Sequence, residues 1–188
     1  MNEDKKHRVC PVEHAGVLDF FFRKWIHDSK KILQPFIKEG MTALDLGCGP
    51  GFFTMEMARL VGDTGKVIAA DLQEGMLAIV GKKIQNSGLV DRVKLHLCLP
   101  EGTGLLEKCD FILVFYMLHE VPEQAGFLRE LQGLLKPQGR VLLAEPGFHV
   151  SRSEFQGSID NMKQAGFEVG PGPRILFSRT VVLGTSRP

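Results

Sequence analysis

From residue 42 onward, short apolar runs alternate with stretches of helical periodicity, an order that admits few folds other than a parallel sheet wrapped in helices. The runs TALDL (42–46), KVIAAD (66–71), VKLHL (93–97), FILVF (111–115) and RVLLAE (140–145) read as strands. After the first, Phe53, Met57, Leu60 and Val61 fall on one helical face; after the second, Met76, Val80 and Ile84 do, with that helix ending near Gly88. The segment CLPEGTGLLEKC that follows the third strand is too short and glycine-rich for a full helix. Phe127, Leu131 and Leu135 predict a helix that KPQG stops, and Phe155, Ile159 and Met162 predict a last one capped at Gly166. The runs FEVG and RTVVLGT have no helix between them and pair as an antiparallel hairpin. The fold expected is therefore a doubly wound α/β sandwich of five parallel strands plus a hairpin, spanning residues 41–188. Residues 1–40 read as a helical extension: Val17, Leu18, Phe21 and Trp25 make an apolar stripe, Phe20 and Phe22 add to it, and Asp28 caps a helix from Ser29 to about Phe36.

Composition narrows the function classes. A chain of 188 residues buries a full core without staples, and a net charge of +1 gives no default attraction to nucleic acid or anionic membrane. The four cysteines, at 10, 48, 98 and 109, show no CxxC spacing, so neither a disulfide framework nor a metal site is indicated, and a reduced cytoplasmic compartment fits. The longest strongly apolar run, FILVFYML, has eight residues, too few for a bilayer, and the charged start MNEDKKHRVCP is unlike a signal peptide.

The chemistry concentrates in ALDLGCGPGF (43–52). Glycine is costly in an ordered segment, so a cluster of three between a strand and a helix marks a close approach to the backbone. The spacing is G-x-G-x-G; where a dinucleotide site has its third glycine, Phe52 stands instead and obstructs the helix–strand packing a pyrophosphate needs. Asp45, two residues before Gly47, would repel a pyrophosphate and attract a cationic ligand. Asp71 ends the second strand twenty residues beyond Gly51, placed to accept hydrogen bonds from both hydroxyls of a ribose. A ligand with ribose, positive charge and no phosphate is S-adenosylmethionine.

The stretch Asp45-Leu46-Gly47-Cys48-Gly49-Pro50-Gly51, with VIAAD behind it and LLKPQGRVLLAE later, resembles the class I S-adenosylmethionine-dependent methyltransferases over roughly residues 29–188, and among them the ubiquinone/menaquinone C-methyltransferase type. The resemblance implies a Rossmann-like seven-stranded sheet of order 3-2-1-4-5-7-6 with strand 7 antiparallel. It implies that Gly47, Cys48, Gly49 and Gly51 lie against the methionyl part, that Asp71 holds the ribose, and that Val114 and Phe115 lie by the amino-acid moiety. Leu72 and Met76 fall where such proteins pack on adenine. Where the family usually carries Gly-Asp-Ala after the third strand, this chain has Cys98-Leu99-Pro100, so Leu99 offers adenine a backbone N–H and apolar contact but no carboxylate. S-adenosylhomocysteine would be the product.

The acceptor side rests on His119 and Glu120, which follow strand four at its carboxyl edge as a base or acceptor-orienting pair. Glu145 ends strand five at the same edge, whereas Asp110 opens strand four at the opposite edge and reads as a turn residue. His14, His27 and His149 read as isolated, solvated histidines. The aromatic stripe around Phe21 and Trp25 reads as a lid over an apolar acceptor, or as packing on the sheet flank or on another subunit of a homodimer. No Asn/Asp-Pro-Pro-Tyr/Phe motif follows strand four and no basic stripe is present, so a small-molecule acceptor is expected rather than nucleic acid or membrane. Two alternatives remain at this stage: a module that binds S-adenosylmethionine without turnover, and an NAD-dependent oxidoreductase, which Phe52 and Asp45 disfavour.

Overall fold

In the computed structural model, which describes residues 28–185, the central strand β1 (Thr42–Leu46) runs parallel to β2 (Lys66–Asp71) on one side and β4 (Cys109–Phe115) on the other. Strand β3 (Val93–Leu97) lies outside β2 and β5 (Leu135–Pro146) outside β4, again parallel. The hairpin of β6 (Phe167–Pro171) and β7 (Ser178–Thr185) completes the sheet, with β7 antiparallel to β5. The order is 3-2-1-4-5-7-6, as expected. Strands β1, β2 and β4 are continuous apolar runs because both faces are covered.

Side-chain alternation divides the core. Leu44, Leu46, Ile68, Ile112 and Val114 point to one face, where α4 (Gln124–Gly133) and α5 (Arg152–Gln164) bring Leu128, Leu131, Phe155 and Met162 against them. Ala43, Val67, Phe111 and Leu113 point to the other, beneath α1 (Ser29–Leu33), α2 (Thr54–Leu60) and α3 (Glu74–Gln85). Helix α5 starts on a full capping box: Ser151 Oγ accepts from Glu154 N–H and the Glu154 carboxylate accepts from Ser151 N–H. Met162 is fully buried at the far end of that helix. Met162→Ala should therefore cost about 2–5 kcal/mol of stability in urea unfolding.

Two local expectations are corrected. Asp28 does cap α1, accepting from Lys31 N–H at 3.1 Å, but the helix closes at Leu33; a turn follows that stacks Phe36 on Phe111 with centroids 5.5 Å apart. Helix α4 ends at Gly133, so Leu135 does not extend its apolar face. Instead Leu135 opens β5, paired with Cys109, and KPQG lies within the strand as an irregularity between Cys109 and Phe111 of the partner. A bulge tolerates Pro137, which a regular ladder would not, and Gln138 there takes φ +67°. Asp110 is structural, as expected: its Oδ2 accepts from Thr42 N–H (2.8 Å) and from Lys136 Nζ (2.7 Å), tying the starts of β1, β4 and β5. Among the described residues no helix is long and apolar enough to cross a membrane. His14, His27 and the Phe20–Trp25 stripe lie outside the described residues.

Candidate functional site

A cavity of about 540 Å³ opens at the carboxyl edge of the parallel strands, over β1, β2 and β4. In open α/β sheets that edge is where ligands sit. The loop from β1 to α2 forms its floor, pinned because Gly47 N–H (2.9 Å) and Cys48 N–H (3.0 Å) both donate to the Ala70 carbonyl of β2. The glycines have different tasks. Gly49, at φ +51°, has nothing within 4 Å of where a Cβ would stand, so its bare face opens on the cavity. Gly51, at φ +80°, does not line the cavity; a Cβ there would lie 2.9 Å from Val80 Cγ2 of α3. The lack of a side chain at Gly51 lets the loop pack against α3.

Two carboxylates stand beside this floor. Asp71 accepts from Gly49 N–H through Oδ2 (2.8 Å) and from Gln73 N–H through Oδ1 (2.9 Å), so it shapes the loop that it faces. Burial raises its pKa, more than the amides of Gln73, Gly49 and Leu72 lower it. Asp45 is only 3% exposed and accepts from the Thr54 hydroxyl at 2.6 Å. Its carboxyl is pushed up to about 6, chiefly by burial; the Thr54 bond opposes the rise and the charge of Asp71 adds to it. Among the described residues that line the cavity there is no lysine, arginine or histidine. A buried carboxylate without a cation is costly, so the donor set fits a ligand that brings positive charge and hydroxyls and no phosphate. Burial also drives the Cys48 thiol far above the usual range, with Asp45 and Asp71 adding to the rise, and pushes Cys98 up to about 11; both line this cavity as unreactive thiols.

Of the remaining sequence-predicted residues, Gly47, Leu72, Met76, Leu99, Phe115 and Glu120 line the cavity. Leu99 does so with a side chain 57% exposed, but its N–H already donates to Gly102 O (3.0 Å) in a tight turn and is not free for an adenine ring. Val114 does not line it: alternation along β4 turns its side chain to the opposite face, into the core with Leu118. Tyr116 and Met117, just past the strand, take that place, and α4 adds Phe127 and Glu130. Sequence reasoning passed over these four because their approach depends on the turn after β4, where Tyr116 has φ +60°, and on the docking of α4.

His119 does not line the cavity either. Its Nδ1 donates to Glu145 Oε2 at 2.6 Å, and Glu145 Oε1 accepts from Leu118 N–H at 3.1 Å. Burial disfavours charge on the ring, but the hydrogen bond and charge of Glu145, with the charge of Glu120, outweigh it and raise the His119 pKa. His149 is exposed as expected yet not isolated: its ring meets that of His119 edge-on, with centroids 5.0 Å apart.

A family model described as a methyltransferase domain matches residues 37–169. The ubiquinone/menaquinone biosynthesis C-methyltransferase UbiE of Escherichia fergusonii is 36% identical over 110 residues, which are 58% of this chain and 44% of that protein. The chain thus spans less than half the length of that relative. The crystal structure of a SAM dependent methyltransferase from Aquifex aeolicus is similar with a TM-score of 0.82 at 28% identity, over 93% of this chain and 98% of that one. The SAM-dependent O-methyltransferase of Thermotoga maritima shares the fold, with a TM-score of 0.67 at 22% identity over 86% of this chain and 66% of that one. With the glycine loop, the two carboxylates and the strand order already in view, the chain belongs to the methyltransferase-domain family and has the fold of the class I S-adenosylmethionine-dependent methyltransferases.

Proposed function

We propose that this protein methylates a small, apolar molecule held in the outer half of the same cavity. The observation that carries the reading is the continuity of the cavity from Gly49 and Asp71 to a wall of Phe52, Tyr116, Met117, Val121 and Phe127. When bound, the cofactor supplies an activated methyl group on a sulfonium. The chain's own part is to orient the two reactants and exclude water. Asp71 takes the ribose hydroxyls, Asp45 faces the positive charge, and Gly47, Cys48 and Gly49 give the ligand a backbone surface. Leu72, Met76 and Leu99 flank the adenine, and Phe115 stands by the amino-acid end. Glu120, on the acceptor side, receives a proton from the acceptor. The aromatic stripe around Phe21 and Trp25 acts as the lid over an apolar acceptor in a cytoplasmic enzyme.

The UbiE relative is named for ubiquinone and menaquinone biosynthesis, which makes naphthohydroquinone a suitable first probe. Incubation with tritium-labelled S-adenosylmethionine should put label into the organic-extractable probe. Label appearing in total RNA or protein, with none in the probe, overturns the small-molecule reading.

Asp45 gives this reading a pH signature. Its carboxyl is protonated in the ligand-free protein below about pH 6, and a cationic ligand binds the ionised form better. S-adenosylmethionine affinity should therefore be flat above that pH and fall by up to about tenfold per unit below it. Calorimetric titrations across this range should show the fall in the wild type and lose it in Asp45→Asn.

A further inference from the structure

Glu145, His119 and His149 form a polar cluster behind the cavity wall that the cofactor seat does not use. Glu145 is 1% exposed at the end of β5, yet both of its oxygens are engaged, by Leu118 N–H and by His119 Nδ1. Holding the hydrogen on Nδ1 leaves Nε2 of a neutral ring as a proton acceptor. Glu120, the next residue in the chain, lines the cavity, and its charge acts on His119. On the other side stands His149, exposed to solvent, with its ring against that of His119. Arg179 of β7, another charged group at this edge, faces Glu145 in register and donates to the carbonyls of Val150 (3.0 Å) and Gly147 (3.3 Å), bracing the loop that carries His149.

We propose that Glu120, His119 and His149 form a proton exit from the acceptor pocket to solvent, with Glu145 as its positioning residue. The proposal rests on the small-molecule transfer proposed above. When an acceptor bearing C–H, N–H or O–H forms its new bond to the methyl carbon, the S–CH3 bond breaks and its electron pair stays on sulfur. The acceptor is left with one proton to lose. That proton passes to the Glu120 carboxylate at the cavity wall, then to His119 Nε2, and leaves through His149 to water. An apolar pocket needs such a route, because a proton stranded there would oppose product formation. Glu145 fixes the tautomer and stabilises the imidazolium while the proton is in transit, and this agrees with the raised pKa of His119.

Two arms test this. Long-range proton–nitrogen NMR of labelled protein should find neutral His119 as the Nδ1–H tautomer; in Glu145→Gln its midpoint should drop by about one pH unit or more. An Nε2–H tautomer, or a midpoint that Glu145→Gln does not move, overturns the relay. With naphthohydroquinone as probe, His149→Ala should lose about tenfold or more in turnover in dilute buffer and recover on addition of imidazole. Its KM should stay within about twofold of wild type, and so should its calorimetric affinity for S-adenosylhomocysteine. Full turnover in dilute buffer, or a loss that imidazole does not rescue, overturns the relay. The NMR arm decides independently of whether the probe is methylated, so failure of the acceptor reading and failure of the relay are told apart.

Discussion

Asp71→Ala should lower the affinity for S-adenosylhomocysteine by about 100-fold or more. The carboxylate takes the N–H groups of Gly49 and Gln73, so its removal leaves two donors without their partner and frees the floor of the cavity to move. Each orphaned donor costs about 1–3 kcal/mol, and the loss of the proposed ribose contact adds to that. Asp71→Asn should fall between the two, because an amide oxygen can keep one of the backbone bonds while its NH2 opposes the other. Calorimetric titration of the three proteins provides the comparison. Equal affinity in wild type and Asp71→Ala would remove Asp71 from the site.

The glycine loop offers a second large effect, in which two neighbouring substitutions separate folding from binding. Gly51→Val forces a side chain toward Val80 Cγ2, which a Cβ already meets at 2.9 Å, in a backbone at φ +80°. Overpacking and a β-branched residue in the left-handed region together should cost about 3–5 kcal/mol of stability. Gly49→Val meets only the left-handed strain, about 1–2 kcal/mol, because its side chain grows into open space. That space is the proposed cofactor seat, so Gly49→Val should stay folded at room temperature and lose measurable S-adenosylhomocysteine binding. Thermal melts set beside titrations read both. The account fails here if Gly49→Val binds normally or if Gly51→Val melts like wild type.

The parallel strands and the position of the loop were legible because β1 and β2 are buried runs with no competing pattern, and because Asp45, Phe52 and Asp71 each exclude a class of ligand; the strand order came only with the family resemblance. Legibility ended where distance along the chain no longer reports distance in space. Gly49 and Gly51 look alike in sequence, and only the approach of Val80 from α3 distinguishes them. KPQG reads as a helix stop, yet the helix closes earlier, at Gly133, and the backbone runs through KPQG as a bulged strand. Val114 and Phe115 are adjacent, so a period of two sends only one of them to the ligand side; which one follows from how β4 sits between the two core layers. His149 meets His119 because two loops from neighbouring strands converge at one sheet edge. No local pattern carries that contact.

The central claim is that one cavity holds both the cofactor and the methyl acceptor. A crystal structure of the S-adenosylhomocysteine complex tests it most directly. The ligand should lie across Gly49 with its ribose hydroxyls on Asp71 and its sulfur turned toward the space between Phe52, Tyr116 and Glu120. A ligand bound away from Asp71, or one whose sulfur faces a closed wall with no room for an acceptor, would contradict the account.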